Sequence, residues 1–182
     1  MKLKKDFFNR DADIVAKELL GKILVFKNKK GELLKSRIVE TEAYFGSKDP
    51  ASRASKGKNK ISEMMFEDAG KILIYNVHKY LMFNIVTGFK EDAQAVLIRA
   101  LEPINFNGRC NGPGLLSQTL EINKEDFHGK SVLDNNFVWL EKSDNKYKNN
   151  FEIIESFRIG VTKDLDIPLR FYIKDNNCVS KR

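Results

Sequence analysis

With 182 residues, 42% of them hydrophobic and 31% charged, the chain has material for one buried core and needs neither disulfides nor a metal to hold it. No apolar run approaches the ~20 residues of a membrane span, and Met1-Lys2-Leu3-Lys4-Lys5-Asp6 is followed by no apolar stretch or cleavage site, so a single cytoplasmic domain over residues 1–182 is expected. A net charge of +7 makes a polyanion a reasonable partner, while Cys110, Cys178, His78 and His128 form neither a C-x-x-C nor a zinc spacing, so free thiols, no metal and no cofactor are expected.

Arg10 to Leu20 reads as a helix, with Asp11 as cap, Ala12, Val15, Ala16 and Leu19 at helical spacing, and Gly21 as the stop. Ile23-Leu24-Val25-Phe26, a turn through Asn28-Lys29-Lys30-Gly31, and Arg37 to Tyr44 form a β-hairpin. A polar loop from Ser47 to Lys60 leads to a short helical piece, Ser62 to Phe66, whose Met65 and Phe66 belong to the core. Ile72 to Tyr75 and Tyr80 to Val86 are strands joined by an exposed tip, Asn76-Val77-His78-Lys79. Ala95 to Leu101 is a continuous apolar run and so a buried strand. Arg99 inside it must find acceptors or open onto a cavity.

Beyond Pro103, Gly108 to Gly114 is a glycine-rich turn before a helix, Leu115 to Leu120. Phosphate cradling is open to such a turn, but neither Walker nor Rossmann spacing is present and a tight turn is the simpler reading. Strands follow at Phe137 to Leu140, Phe151 to Ile154 and Leu169 to Ile173, with a Lys/Asn/Asp loop between the first two. The whole is an α+β domain with a strand-rich core, antiparallel hairpins and flanking helices.

The strand Arg37 to Tyr44 is the chemically loaded one. Alternation puts Ile38, Glu40, Glu42 and Tyr44 on one face, and two carboxylates beside a phenol either face solvent or line a site, because burying them unpaired is costly. Just after it, Arg53, Lys56, Lys58 and Lys60 cluster with no acid among them; this is a solvated loop or a set of phosphate contacts.

Taken together, Ala16-x-x-Leu-Leu-Gly-Lys22, Arg37-Ile-Val-Glu-Thr-Glu-Ala-Tyr44, Asp49-Pro-Ala-Ser52, Met65-Phe66, Arg99-Ala-Leu-Glu-Pro103, Asn111-Gly-Pro-Gly114, Arg158-Ile-Gly-Val161 and Pro168-Leu-Arg-Phe-Tyr172 occur in an order that resembles the mammalian-type alkyladenine (3-methyladenine) DNA glycosylases. The resemblance spans roughly Arg10 to Tyr172. It implies a monofunctional base-excision-repair enzyme that flips alkylated or deaminated purines (3-methyladenine, 7-methylguanine, hypoxanthine) out of double-stranded DNA and hydrolyses their N-glycosidic bond, acting as a monomer associated with the nucleoid and needing no metal or covalent intermediate.

By the same resemblance Glu42 is the general base and Arg99 positions the nucleophilic water. Tyr44 and Tyr75 stack on the flipped base, and Asn84 penalises the 2-amino group of guanine. Arg53 stands where the family has a histidine against the flipped nucleotide. The hairpin tip is one residue shorter than the family pattern, so His78, supported by Val77, is assigned the wedge and Lys79 a phosphate contact, with Tyr80 the alternative. Lys56, Lys58 and Lys60 are taken as DNA contacts. Glu40 is read as structural and salt-bridged, since a cationic purine leaves without a second acid. The rival from another class is a non-catalytic damaged-DNA-binding protein.

Overall fold

The computed structural model describes residues 1–143 and 151–181. Helices α1 (Lys5–Phe8) and α2 (Ala12–Leu19) precede β1 (Ile23–Lys27), β2 (Leu33–Tyr44), β3 (Ile72–Val77), β4 (Tyr80–Thr87) and β5 (Gln94–Pro103). Then come α3 (Pro113–Thr119), α4 (Lys124–Phe127), β6 (Val138–Glu141), β7 (Ile153–Ser156) and β8 (Arg170–Ile173). The strands form one antiparallel sheet in the order β3-β4-β5-β2-β1-β6, with β8 joining β2 to β7. This is the α+β, strand-rich architecture expected.

β2 is the hub. One of its edges pairs with β5 from Ser36 to Tyr44, and the other is shared, β1 taking Leu33 to Arg37 and β8 taking Glu40 to Glu42. The register against β5 shifts between Ile38 and Glu40 and again between Glu40 and Thr41. Bulges re-aim side chains, and here the simple alternation fails at one end: Ile38 goes to the core with Val39 and Ala43, leaving Glu40, Glu42 and Tyr44 as the polar run.

The main core is made by Val15, Ala16 and Leu19 of α2 against Val39 and Ala43 of β2 and Ile98 of β5. The Thr41 hydroxyl donates to the Ala16 carbonyl at 2.9 Å and fixes α2 across the strand. The helix is capped from a distance. Asp11 occupies the cap position without bonding a helical N–H; instead the Ala12 N–H donates to Gln94 Oε1 at 2.7 Å, and Gln94 Nε2 donates back to Asp11 at 3.0 Å. Gly21, at φ +80°, ends the helix as its left-handed freedom allows. A satellite core of Ala54, Met65, Leu73, Val86, Ala93 and Ala95, with Phe66 and Tyr75 against it, lies under the loop 47–60.

One expectation needs correcting. The β3–β4 tip is not four residues but two, His78 and Lys79, because Asn76 and Val77 still pair with Leu81 and Tyr80. The left-handed φ of +52° at His78 is the geometry of primed hairpin turns, which match strand twist. The glycine-rich segment runs into α3 at Pro113, and a Cβ at Gly114, inside that helix, would stand 2.5 Å from the Tyr80 ring, so the bare glycine is what lets that ring seat on α3. The expected loop between β6 and β7 falls largely on residues 144–150, outside the described residues. Both thiols are free, and burial pushes the Cys110 thiol up to about 11.

Candidate active site

The polar run of β2 is buried, and it is tolerated because every carboxylate there is met by donors. Glu40 Oε1 accepts from Arg99 Nε at 3.0 Å, Arg170 Nε at 2.7 Å and the Ser180 hydroxyl at 2.8 Å, while its Oε2 accepts from the Ser180 N–H at 2.6 Å. The structural reading of Glu40 agrees with this: its acceptor capacity is consumed by the protein.

Glu42 differs. Its Oε2 accepts from the Tyr44 hydroxyl at 2.7 Å, and its Oε1 accepts from the Ile159 N–H at 2.8 Å and pairs with Arg99 Nη1 at 3.1 Å. An ionised carboxylate offers about four acceptor positions, so these three donors leave room for one more ligand. Arg99 links the two acids, its Nε on Glu40 and its Nη1 on Glu42.

Above this pair lies a cavity of about 580 Å³. Tyr44, Arg99 and Ile159, the groups that touch Glu42, line it, as do Tyr75, Val77, Arg53 and Lys56. Glu42 itself sits beneath that floor with no exposed side-chain surface. The Arg53 guanidinium lies over the Tyr75 ring, 4.8 Å from its centre. The other singled-out residues lie outside the lining. Asn84 is buried behind Tyr75 with its amide donating to the Leu73 and Met82 carbonyls at 3.2 and 3.1 Å. Lys58 is over Phe66, Lys60 is exposed, and His78 and Lys79 project at the hairpin tip.

One organising residue went unassigned in the sequence reading. Arg158, fully buried, makes a two-point pair with Asp49 at 2.6 and 2.8 Å, donates to the Ala43 carbonyl at 2.9 Å and bonds Asp164, with its guanidinium 4.6 Å from the Tyr44 ring centre. It therefore fastens the basic loop, the end of β2 and the segment that supplies the Ile159 N–H at one point. The signal was present as two separate blocks, Asp49-Pro-Ala-Ser52 and Arg158-Ile-Gly-Val161. Nothing in their sequence spacing pairs them. Ser180 and Arg170 were missed for the same reason.

Burial pushes the Glu42 carboxyl above the ordinary glutamate range, and Arg99, the Ile159 N–H and the Tyr44 hydroxyl hold the rise in check. Burial and the neighbouring Glu42 also raise Tyr44, which keeps it a protonated donor. If Glu42 serves as a base it does so as the carboxylate, and activity should then rise with pH through a midpoint above 4.5, the ordinary glutamate value. Tyr44→Phe removes a bond to the charged form and is expected to move that acid limb to higher pH. Single-turnover rates across the pH range check this; a limb that stays in place or moves down contradicts it.

The site sets a fixed buried carboxylate with an arginine partner under an aromatic-walled cavity rimmed by Arg53 and Lys56, a form suited to binding a ring-bearing anionic ligand. The comparisons narrow the class. Residues 6–177 match the family of methylpurine-DNA glycosylases, and the chain belongs to that family. It is similar to proteins named as 3-methyladenine DNA glycosylases in Legionella pneumophila (45% identical, covering 99% of this chain and 98% of the relative), Clostridium botulinum (38%, all of both) and Aeropyrum pernix (38%, 98% and 93%).

Proposed function

We propose that this enzyme removes 3-methyladenine, 7-methylguanine and hypoxanthine from double-stranded DNA by flipping the damaged nucleotide into the 580 Å³ cavity and hydrolysing its N-glycosidic bond. The observation that carries the reading is Glu42, a carboxylate held by three donors directly under a cavity of ligand size. As the C1′–N9 bond breaks, the charge of Glu42 stabilises the oxocarbenium character of the sugar; water then bonds C1′ and gives its proton to the fourth acceptor position of Glu42, a methylated purine leaving as the neutral base and hypoxanthine as an anion that takes a proton from solvent. Arg99 fixes the carboxylate and faces the same water from the cavity wall. Tyr44 and Tyr75 offer the flipped purine ring faces; Arg53, on Tyr75, meets the nucleotide from the loop side. Asn84, behind Tyr75, acts against the guanine 2-amino group through the position of that ring. The relatives' shared name supports the substrate class.

Incubation with duplexes containing hypoxanthine or 3-methyladenine, followed by counting of abasic sites, tests the reading. Tight binding without abasic sites would instead make the chain a damage-binding protein.

The wedge that holds the duplex open is assigned to His78, with Val77 beneath it. Tyr80, its rival, has its ring seated on Gly114, whereas His78 is exposed at the tip. His78→Ala should slow excision of hypoxanthine opposite thymine about tenfold while leaving hypoxanthine opposite a gap nearly unchanged, since only the paired lesion has unstacking to overcome. Equal slowing of both, or selective damage by Tyr80→Ala instead, refutes the assignment.

The basic loop divides on geometry. Lys56 stands on the cavity rim, while Lys58 is drawn over Phe66 at 5.6 Å from the ring centre. If Lys56 contacts a phosphate, Lys56→Ala should reduce the magnitude of the log K against log[salt] slope by ~0.9. The same measurement on Lys58→Ala and Lys60→Ala shows whether those lysines reach the backbone once DNA is bound; an unchanged slope for all three returns the loop to a solvated surface.

A further inference from the structure

We infer that residues 178–181 are a positioning strap of the active site, in which Ser180, acting through Glu40, aims Arg99 at Glu42. The inference rests on Glu42 as base and Arg99 as its partner. The family match covers residues 6–177, and the similarity to the relatives continues through the strap.

The strap is well anchored. Asn176 Oδ1 accepts from the Cys178 N–H at 2.8 Å, Val179 is in the main core, and the Lys181 carbonyl accepts from Arg170. Between these anchors Ser180 places two donors on one carboxylate, its hydroxyl on Glu40 Oε1 at 2.8 Å and its N–H on Oε2 at 2.6 Å. Its hydroxyl is also 3.5 Å from Arg99 Nη2.

The consequence follows from guanidinium geometry. Arg99 is a rigid planar fork that prefers a two-point pair with a single carboxylate. In this site it is instead divided, Nε on Glu40 Oε1 and Nη1 on Glu42 Oε1. A two-point pair with Glu40 would use the side edge of the fork, Nε on Oε1 and Nη2 on Oε2; the Ser180 hydroxyl stands at Oε1 and Nη2, and the Ser180 N–H fixes Oε2, so the edge stays open. With either donor gone, the edge closes on Glu40 and the rotation carries Nη1 away from Glu42. The groups facing Glu42 are then Glu40 and Tyr44 of its own strand, Tyr75 of β3, Arg170 opposite it on β8 and the Ile159 N–H, so the loss of Arg99 leaves the acid with weaker support for its charge.

The test is single-turnover excision of hypoxanthine by the full chain across the pH range, for wild type, Ser180→Pro, Ser180→Ala, Ser180→Thr and Glu42→Gln, with affinity for an abasic-analogue duplex measured in parallel. Ser180→Pro lacks the N–H and is expected to slow release about 10- to 100-fold, the scale of a misplaced catalytic group. It should also move the acid limb to higher pH and leave duplex affinity within about threefold of wild type. Ser180→Thr keeps both donors and should bring rate and limb back toward wild type. If Ser180→Pro does not fold, Ser180→Ala decides alone, with slower release and a limb displaced the same way as the expected result. Wild-type rate and limb in Ser180→Pro and Ser180→Ala, or slower release in them with an unmoved limb, overturn the strap while Glu42→Gln stays strongly slowed. Full activity in Glu42→Gln is the separate result that sinks the base assignment, and the strap with it.

Discussion

Glu42→Gln is expected to slow base release by about 10²- to 10⁴-fold, the range supplied by a positioned general base, while binding to an abasic-analogue duplex stays within a few-fold of wild type. The amide keeps the shape of the side chain and loses the basic oxygen. Glu40→Gln should keep measurable excision, since Glu40 acts on the reaction only through Arg99. Equal loss in both variants would favour a mechanism using the paired carboxylates, and full activity in Glu42→Gln would end the assignment.

The same substitution has a signature in stability. Because burial raises the Glu42 pKa in the folded chain, the native state binds more protons than the unfolded state between 4.5 and the folded value. The stability Glu42 contributes is therefore complete below 4.5 and lost as pH rises through the folded value. Glu42→Gln does not titrate, so the part of the pH dependence in that window that Glu42 supplies should be missing from its urea unfolding curves, seen as a difference from wild type.

Arg158→Ala carries the largest expected loss of stability, about 3–5 kcal/mol, because it leaves a buried carboxylate without its counter-charge. That carboxylate is Asp49, whose side chain has no exposed surface. Arg158→Lys should recover only part of the loss, since an ammonium cannot reproduce a two-point pair together with the Ala43 and Asp164 contacts. Urea unfolding with an unchanged m-value measures it; a loss below about 1 kcal/mol, the size of a surface pair, would mean that the three segments hold together without Arg158.

What could be read from the sequence was what is local. Apolar, β-branched runs marked most of the strands, and the carboxylates of β2 and the arginine of β5 were conspicuous because charged residues inside such runs must have partners. The turn at His78 is narrower than the sequence suggests, since Asn76 is a turn former that interrupts the apolar run before Val77, yet both pair in the ladder with Leu81 and Tyr80. The cap of α2 was assigned to Asp11 by proximity, whereas Gln94 supplies it from 82 positions away. Arg158 and Ser180 were illegible for a stronger reason: an arginine or serine in a polar segment looks the same whether it meets water or a buried acid. Only the fold brings Arg158 to Asp49 across 109 residues and Ser180 to Glu40 across 140.

Those separations bear on when the chain becomes competent. The β3–β4 and β1–β2 hairpins close over short distances, but Glu42 waits for Arg99 and then for an N–H 117 residues further on. Contacts of such separation cost the most chain entropy to form and come late in assembly. A nascent chain that has folded only as far as β5 holds the acid and its arginine without Ile159 to complete the carboxylate's support or Arg158 to seat the basic loop. Order of synthesis thus sets the order of assembly: Glu42 and Arg99 reach their full set of partners only after the last segments of the scaffold have closed around them.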